Sequence, residues 1–263
     1  MAFDKYAHYY DLLYRDKDYI GEANYIDSLI RKYNIRAENI LDLGCGTGKH
    51  AELLSQKGYK VHGVDMSEGM LQEAYIRAEN NPNLSFTLSN LQEFNLEEKF
   101  DVATALFHVM SYQTSNSDLY KAFSTAYEQL LPGGIFIFDC WYGPAVLSNR
   151  PVVRVKRLED AQIHIARIAE PVMHPNSNLV DVNYHMYIKD KEYGTFGELQ
   201  EVHTMRYLFR PEVELLLEQV GFCLIDSFEF ITGKTPGYDT WNVCFVGQKG
   251  AKQENEKSFT SLS

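Results

Sequence analysis

The chain is poor in cysteine, and none of the four it has stands close to another. Cys45, Cys140, Cys223 and Cys244 form no C-x-x-C pair and lie in apolar or glycine-rich stretches. That spacing excludes a disulfide framework and a thiolate metal site, so the four read as reduced and buried and no metal is expected. No Lys/Arg run occurs, and the formal net charge is -11. Nucleic-acid backbones and anionic membrane surfaces are bound by concentrated positive charge, so neither is an expected partner. No apolar run approaches the roughly 20 residues of a membrane span, and Met1-Ala2-Phe3-Asp4-Lys5-Tyr6 has no secretory pattern. A cytoplasmic protein is expected. With 45% hydrophobic residues over 263 positions, it has enough apolar mass for one sizeable domain or a domain with an insertion.

The most informative stretch is Ile40-Leu41-Asp42-Leu43-Gly44-Cys45-Gly46-Thr47-Gly48. An apolar run of buried-strand character ends in three alternate glycines, and Lys49-His50-Ala51-Glu52-Leu53-Leu54 continues with helical spacing. Glycines here allow positive φ and close approach of a ligand, and the helix start favours negative charge. Tight packing is the competing explanation. A dinucleotide fingerprint needs a third glycine at the sixth position, where this chain has Lys49 counting from Gly44 and Ala51 counting from Gly46. With no Tyr-x-x-x-Lys pair beside the turn either, a nicotinamide oxidoreductase is disfavoured.

Leu41-Asp42-Leu43-Gly44-Cys45-Gly46-Thr47-Gly48 resembles motif I of the class I S-adenosylmethionine (SAM) dependent methyltransferases. The resemblance implies that Asp42, Gly44, Cys45, Gly46 and Gly48 wrap the methionine part of SAM. Residues 59–65 alternate as a second strand, and Asp65-Met66-Ser67-Glu68-Gly69-Met70-Leu71 resembles the second motif. It assigns Asp65 to the ribose hydroxyls and adds Met66 and Met70 to the cofactor set, which the wider resemblance extends to His50 and Phe107; for Asp65 the alternative is a helix-initiating acid beside a Ser67 cap. Residues 84–91 read as a third strand. Asn90 stands where the family has an Asp that reads the adenine amine, and Leu91 where a side chain packs on the ring. Residues 100–107 form a fourth strand leading into Phe107-His108-Val109-Met110-Ser111-Tyr112, and the missing Asn-Pro-Pro-Tyr sequence disfavours nucleobase or protein-amide acceptors. Pro132-Gly133-Gly134 turns into a buried strand, as it does in this family, and Trp141 emerges at that strand's C-terminal edge.

Residues 3–33 carry an aromatic helical pattern. Tyr9-Tyr10-Asp11-Leu12-Leu13-Tyr14 with Lys17-Asp18-Tyr19 resembles the cap of small-molecule methyltransferases, which implies that Tyr10, Tyr14 and Tyr19 close over the cofactor. Four segments between 150 and 209 alternate with period two, as an antiparallel sheet does. Pro211-Glu212 starts a helix ended by Gly221, and two strands follow. The expected architecture is α/β, a doubly wound, seven-stranded, mainly parallel Rossmann-like sheet. It comprises a core of residues 1–149 and 210–248, an antiparallel insertion at 150–209 that binds the acceptor or pairs two copies, and a disordered tail at 249–263.

His50, the Tyr cap, the 107–112 loop, Trp141 and Glu201-x-His203 together look most like the N-methyltransferases of nucleotide-linked amino sugars. That implies a dTDP- or UDP-linked amino sugar as acceptor. An amine is already nucleophilic, whereas a hydroxyl acceptor benefits from a base; an O-methyltransferase and a non-catalytic SAM-binding module stay open. His108, Tyr112 and His203 are the candidate catalytic groups, although Tyr112 occupies a position where the amino-sugar enzymes have histidine. Trp141, Arg154 and Arg206 are the candidate acceptor contacts, the arginines facing a diphosphate or else solvent.

Overall fold

A computed structural model describes residues 7–250. Residues 3–6 of the expected aromatic helical pattern and the tail from residue 251 onward lie outside the described residues. The chain opens with α1 (Ala7–Leu13) and α2 (Tyr19–Tyr33). The expected aromatic helix is broken between them, where Asp18 accepts the Gly21 N–H at 2.8 Å and starts α2 afresh. Then follow β1 (Asn39–Leu43), α3 (Lys49–Ser55), β2 (Lys60–Asp65), α4 (Glu68–Ala78), β3 (Leu84–Leu88), β4 (Phe100–Ala105), α5 (Asn116–Gln129), β5 (Leu130–Tyr142) and α6 (Gly143–Ser148). The antiparallel strands are β6 (Arg154–Glu159), β7 (Ile163–His174), β8 (Leu179–Asp190) and β9 (Phe196–Leu208); α7 (Arg210–Val220), β10 (Phe222–Glu229) and β11 (Asn242–Lys249) close the fold. Lys249, placed in the expected tail, is instead in β11, with its ammonium donating to Tyr127 O and Leu130 O.

The core sheet runs β3-β2-β1-β4-β5-β11-β10, parallel from β3 to β5, with β11 antiparallel to both β5 and β10. This is the doubly wound plan with the closing strand reversed. Strand β5 shows why the sheet is buried on both faces. Phe136, Phe138 and Cys140 join Phe123, Leu217 and Phe245 on the α5–α7 side, while Ile135 and Ile137 join Ile26, Ile30 and Leu54 on the α2–α3 side. The expected Pro-Gly-Gly turn is a bulge inside β5: Gly133 takes φ +82°, and the ladder to β4 jumps from Phe100↔Leu130 to Val102↔Ile135.

The antiparallel strands continue this sheet. β9 joins β5 in parallel at Trp141↔Tyr207 and Tyr142↔Leu208, and the order runs on through β8 and β7 to β6. Strand order reverses between β1 and β4, and in open α/β sheets ligands sit at the C-terminal strand ends beside such a reversal. The loops after β1, β4 and β5 therefore define the region of interest.

Candidate active site

The glycine turn takes the conformation its composition predicts, with φ of +71°, +54° and +75° at Gly44, Gly46 and Gly48. The Gly44 and Cys45 N–H groups donate to Val64 O at 2.7 and 3.0 Å, fixing the turn to β2. A Cβ on Gly44 would lie 2.6 Å from Val109 Cγ2, and one on Gly48 2.8 Å from Phe86, whereas Gly46 faces open space. Packing thus accounts for the outer two glycines. The middle one leaves a cradle.

Asp65 borders that cradle. Its Oδ2 accepts the Gly46 N–H at 2.8 Å and its Oδ1 the Ser67 N–H at 2.9 Å. Burial raises its pKa, opposed by the N–H groups of Ser67, Gly46 and Met66, and each oxygen keeps a lone pair for a further donor. Asp42 is placed differently from the expectation. It is 2% exposed beneath the turn, where Thr104 Oγ1 donates to it at 2.7 Å and ties β4 to β1. Burial pushes its carboxyl up to about 6. The Cys45 side chain is buried and its thiol raised well above 9 by burial, so only its backbone is available. Met70 is buried in α4, its N–H capped by Ser67 Oγ, and Met66 is 52% exposed. Asn90 Oδ1 accepts the Gln92 N–H at 3.0 Å, and Leu91 packs against the core.

The aromatic cap stands over the turn. Tyr10 and Tyr14 pack at 4.7 Å, and Tyr14 meets Phe107 edge-on at 5.0 Å. The Lys17 ammonium lies over the rings of Tyr19 and Phe107, 4.5 and 4.4 Å from their centroids. It also pairs with Glu22. His50, expected to touch the cofactor, holds Glu22 instead, Nε2 to Oε2 at 2.7 Å, with the Tyr19 ring 5.0 Å away. Desolvation lowers the Lys17 pKa against Glu22 and Asp139. A latch secures the cap: Thr47 Oγ1 donates to Asp11 at 3.1 Å, and Arg77 reaches Asp11 at 2.8 Å, Glu52 at 3.1 Å and Thr47 O at 2.8 Å.

After β4 the backbone is strained. Phe107 and His108 take φ of +65° and +68°, a region that bulky L residues avoid and that gathers at functional sites. The His108 N–H donates to both Asp139 oxygens at 3.2 Å, and its Nδ1 sits 2.8 Å from Oδ2. Asp139 is fully buried; desolvation raises its pKa, but His108 and then Lys17 outweigh it and the net shift is downward. The one-turn 3₁₀ helix Val109–Tyr112 comes next. Ser111 Oγ accepts the Trp141 N–H at 3.0 Å, and Trp141 packs edge-on against Trp241 at 5.8 Å. The Tyr112 hydroxyl lies 2.9 Å from His203 Nδ1.

Strand register explains what the antiparallel strands contribute. Pairings Arg167↔Met186, Tyr184↔Glu201 and Val182↔His203 put Arg167, Tyr184, Glu201 and His203 on one face. On that face the Arg167 guanidinium lies over Tyr184 at 4.9 Å and Tyr14 at 5.8 Å. Arg206 pairs with Leu179 at the opposite parity and points to the other face. It is buried there between Asn116 Oδ1, at 2.7 Å, and Glu212. Arg154 lies exposed on β6, three strands away. The two arginines therefore cannot clasp one diphosphate. Lys17, Asp139, Arg167, Tyr184 and Glu201 join the candidate site only in the structure; the Lys17-Asp18-Tyr19 and Glu201-x-His203 segments are the signals the sequence offers for them.

A cavity of about 540 Å³ lies away from the turn among Tyr9, Ile163, Ile188 and Phe196, and none of the expected site residues lines it. Among the described residues no group of three or more His, Cys, Asp or Glu is arranged to hold a metal, and no helix is long and apolar enough to cross a membrane.

Residues 40–134 match the model of a methyltransferase domain. A dTDP-3-amino-3,4,6-trideoxy-alpha-D-glucopyranose N,N-dimethyltransferase of Streptomyces venezuelae is 28% identical over 234 residues, 88% of this chain and 94% of that protein. Among solved structures, an S-adenosylmethionine-dependent methyltransferase from Clostridium acetobutylicum superposes with a TM-score of 0.79 at 24% identity, covering 95% of this chain and all of that one. Streptomyces venezuelae DesVI superposes with a TM-score of 0.78 at 24% identity, over 93% and 98% of the two chains.

Proposed function

The chain being a class I SAM-dependent methyltransferase, we propose that it transfers methyl groups to the amino nitrogen of a nucleotide-linked amino sugar. The observation that carries this is the likeness to the Streptomyces venezuelae N,N-dimethyltransferase over 94% of that protein's length, a span too long to be the cofactor domain alone. A nitrogen acceptor is favoured over a hydroxyl by the same likeness.

The residues around the turn fit SAM. Gly46 leaves open space where a side chain would intrude, and Asp65, already oriented by two backbone donors, has acceptors left for the paired ribose hydroxyls. Lys17, buried under the aromatic cap, supplies positive charge for the methionyl carboxylate. Asn90 keeps an oxygen lone pair for the adenine amine. SAM supplies an electrophilic methyl group on a sulfonium centre. The protein's task is to hold the acceptor nitrogen in line with it, and such alignment supplies about 7–11 kcal/mol. His108, fixed by Asp139, and Tyr112, fixed by His203, orient the acceptor from the loop after β4; Tyr14 and Trp141 flank it.

The test is an incubation with SAM and a dTDP-linked amino sugar, with products read by mass spectrometry. A mass gain of one or two methyl groups on the sugar nitrogen is expected. SAM binding with no methyl transfer to any amino sugar would overturn the acceptor assignment and leave the cofactor assignment standing. His108→Ala and Tyr112→Phe should lower kcat/KM for the acceptor while leaving SAM affinity unchanged; normal kinetics in both variants would remove these residues from the mechanism.

A further inference from the structure

Beyond the cofactor turn, the half-buried Tyr112 and the buried side chains of His203 and Glu201 form a single hydrogen-bonded line. The Tyr112 hydroxyl lies 2.9 Å from His203 Nδ1, and His203 Nε2 lies 2.9 Å from Glu201 Oε2. The His203 side chain is 3% exposed and that of Glu201 8%. Proton positions follow from valence. An ionised carboxylate only accepts, so the His203 proton is on Nε2, and a neutral ring is then bare at Nδ1. The bond to Tyr112 therefore exists with the phenol as donor, which leaves lone pairs on the phenol oxygen for a donor from the acceptor side.

Among the described residues, the titratable and charged groups around this line come from several elements. Tyr14 follows α1, Arg167 is on β7, Tyr184 is on β8 with its ring 4.9 Å from His203, and Glu201 shares β9 with His203. Burial first, then Tyr14, Tyr184 and Glu201, push the Tyr112 phenol well above its ordinary value, with Arg167 opposing. A phenolate is thus disfavoured, and Tyr112 by itself is a poor base.

We propose that Tyr112, His203 and Glu201 form a proton relay that removes the proton shed by the acceptor nitrogen on methylation. This rests on the amine reading above. A neutral amine that gains a methyl group becomes an ammonium. Its N–H bond breaks toward the Tyr112 oxygen as the phenol O–H bond breaks toward His203 Nδ1. The products are a neutral methylated amine, an intact phenol and a His203 imidazolium held by the Glu201 carboxylate. Two protons have each moved one place, the net result being one proton delivered to His203, with no oxidant or reductant. A nitrogen must recover its lone pair before it can take a second methyl group, so the relay governs the second transfer more than the first.

The experiment compares wild type with Tyr112→Phe, His203→Gln and Glu201→Gln, using SAM and a dTDP-linked amino sugar and timing mono- and dimethylated products. SAM affinity by calorimetry identifies the variants that have folded. Each folded variant should accumulate the monomethyl product, with the second transfer slowed on the order of 10²-fold beyond whatever loss the first transfer shows. Glu201→Gln should also move the acidic limb of the second-transfer rate profile to lower pH, because the imidazolium loses its counter-charge. Independently of turnover, ¹⁵N NMR of the wild-type imidazole should show the Nε2–H tautomer, and Glu201→Gln should mix the two tautomers. Wild-type ratios and pH profiles in all three folded variants would overturn the relay while leaving the amine reading intact, as would an Nδ1–H tautomer in wild type. A wild type that methylates no amino sugar would overturn both.

Discussion

Asp42 illustrates how a motif residue serves its turn from beneath it. Its carboxyl is enclosed under the glycine turn, takes the Thr104 hydroxyl and has its pKa raised by burial to about 6, against an ordinary value of about 3.9. Folding therefore favours the protonated acid. That contribution is complete below about pH 4 and is lost as pH rises through about 6. The shift of about two pKa units corresponds to about 3 kcal/mol. Asp42→Asn keeps an oxygen for Thr104 and cannot ionise. In urea unfolding it should match wild type near pH 4 and exceed it by about 2–3 kcal/mol at pH 8. A difference between the two proteins that stays constant over this range would show that ionisation of Asp42 does not limit stability.

At the scale of elements, the decisive joint is between β9 and α7. Arg206 reaches Asn116 and Glu212 from β9, and Glu212 Oε2 in turn accepts the Phe209 N–H at 3.3 Å at the start of α7. One buried cation thus fixes the entry to α7 and the end of β9. Removing one partner of such a pair leaves a charge uncompensated. Arg206→Met should cost about 2–4 kcal/mol in denaturant unfolding, and adding Glu212→Gln should restore part of that loss. The acceptor KM should not change; a raised KM with unchanged stability would return Arg206 to a ligand-binding role. The same joint shows what the sequence could and could not disclose. Alternation over residues 201–207 identifies a strand, but which parity faces the site depends on the partner strand, and so the sequence alone groups Arg206 with Arg154 although they lie on different faces. The glycine turn was legible because its requirement is local: positive φ at Gly44, Gly46 and Gly48 is a property of those residues. Tyr112 and His203 are separated by 91 positions, and only the pairing of β9 beside β5 brings them together. Lys17 was hidden for a related reason, since its burial depends on Phe107 and Glu22 folding around it.

For the whole molecule, the candidate site lies where three separate parts of the chain converge: the aromatic cap, the strand ends of the doubly wound sheet, and one face of the antiparallel strands. A ligand held there binds the folded state and has no counterpart site in the unfolded chain, so it stabilises by mass action, about 2.7 kcal/mol at a hundredfold excess over Kd. For a protein of this size that corresponds to a Tm rise of roughly 5–10 °C. SAM and S-adenosylhomocysteine should both produce the rise, and NAD should not, because the turn lacks the third glycine of a dinucleotide site. Gly46→Val makes the test specific. Gly46 has φ +54° and open space around its missing Cβ, so valine adds backbone strain of about 1–3 kcal/mol and puts its Cβ into the cradle without meeting protein atoms. The variant should melt cooperatively, somewhat below wild type, and show no rise with SAM. A Gly46→Val protein that SAM still stabilises by the wild-type increment would place the cofactor elsewhere on the molecule.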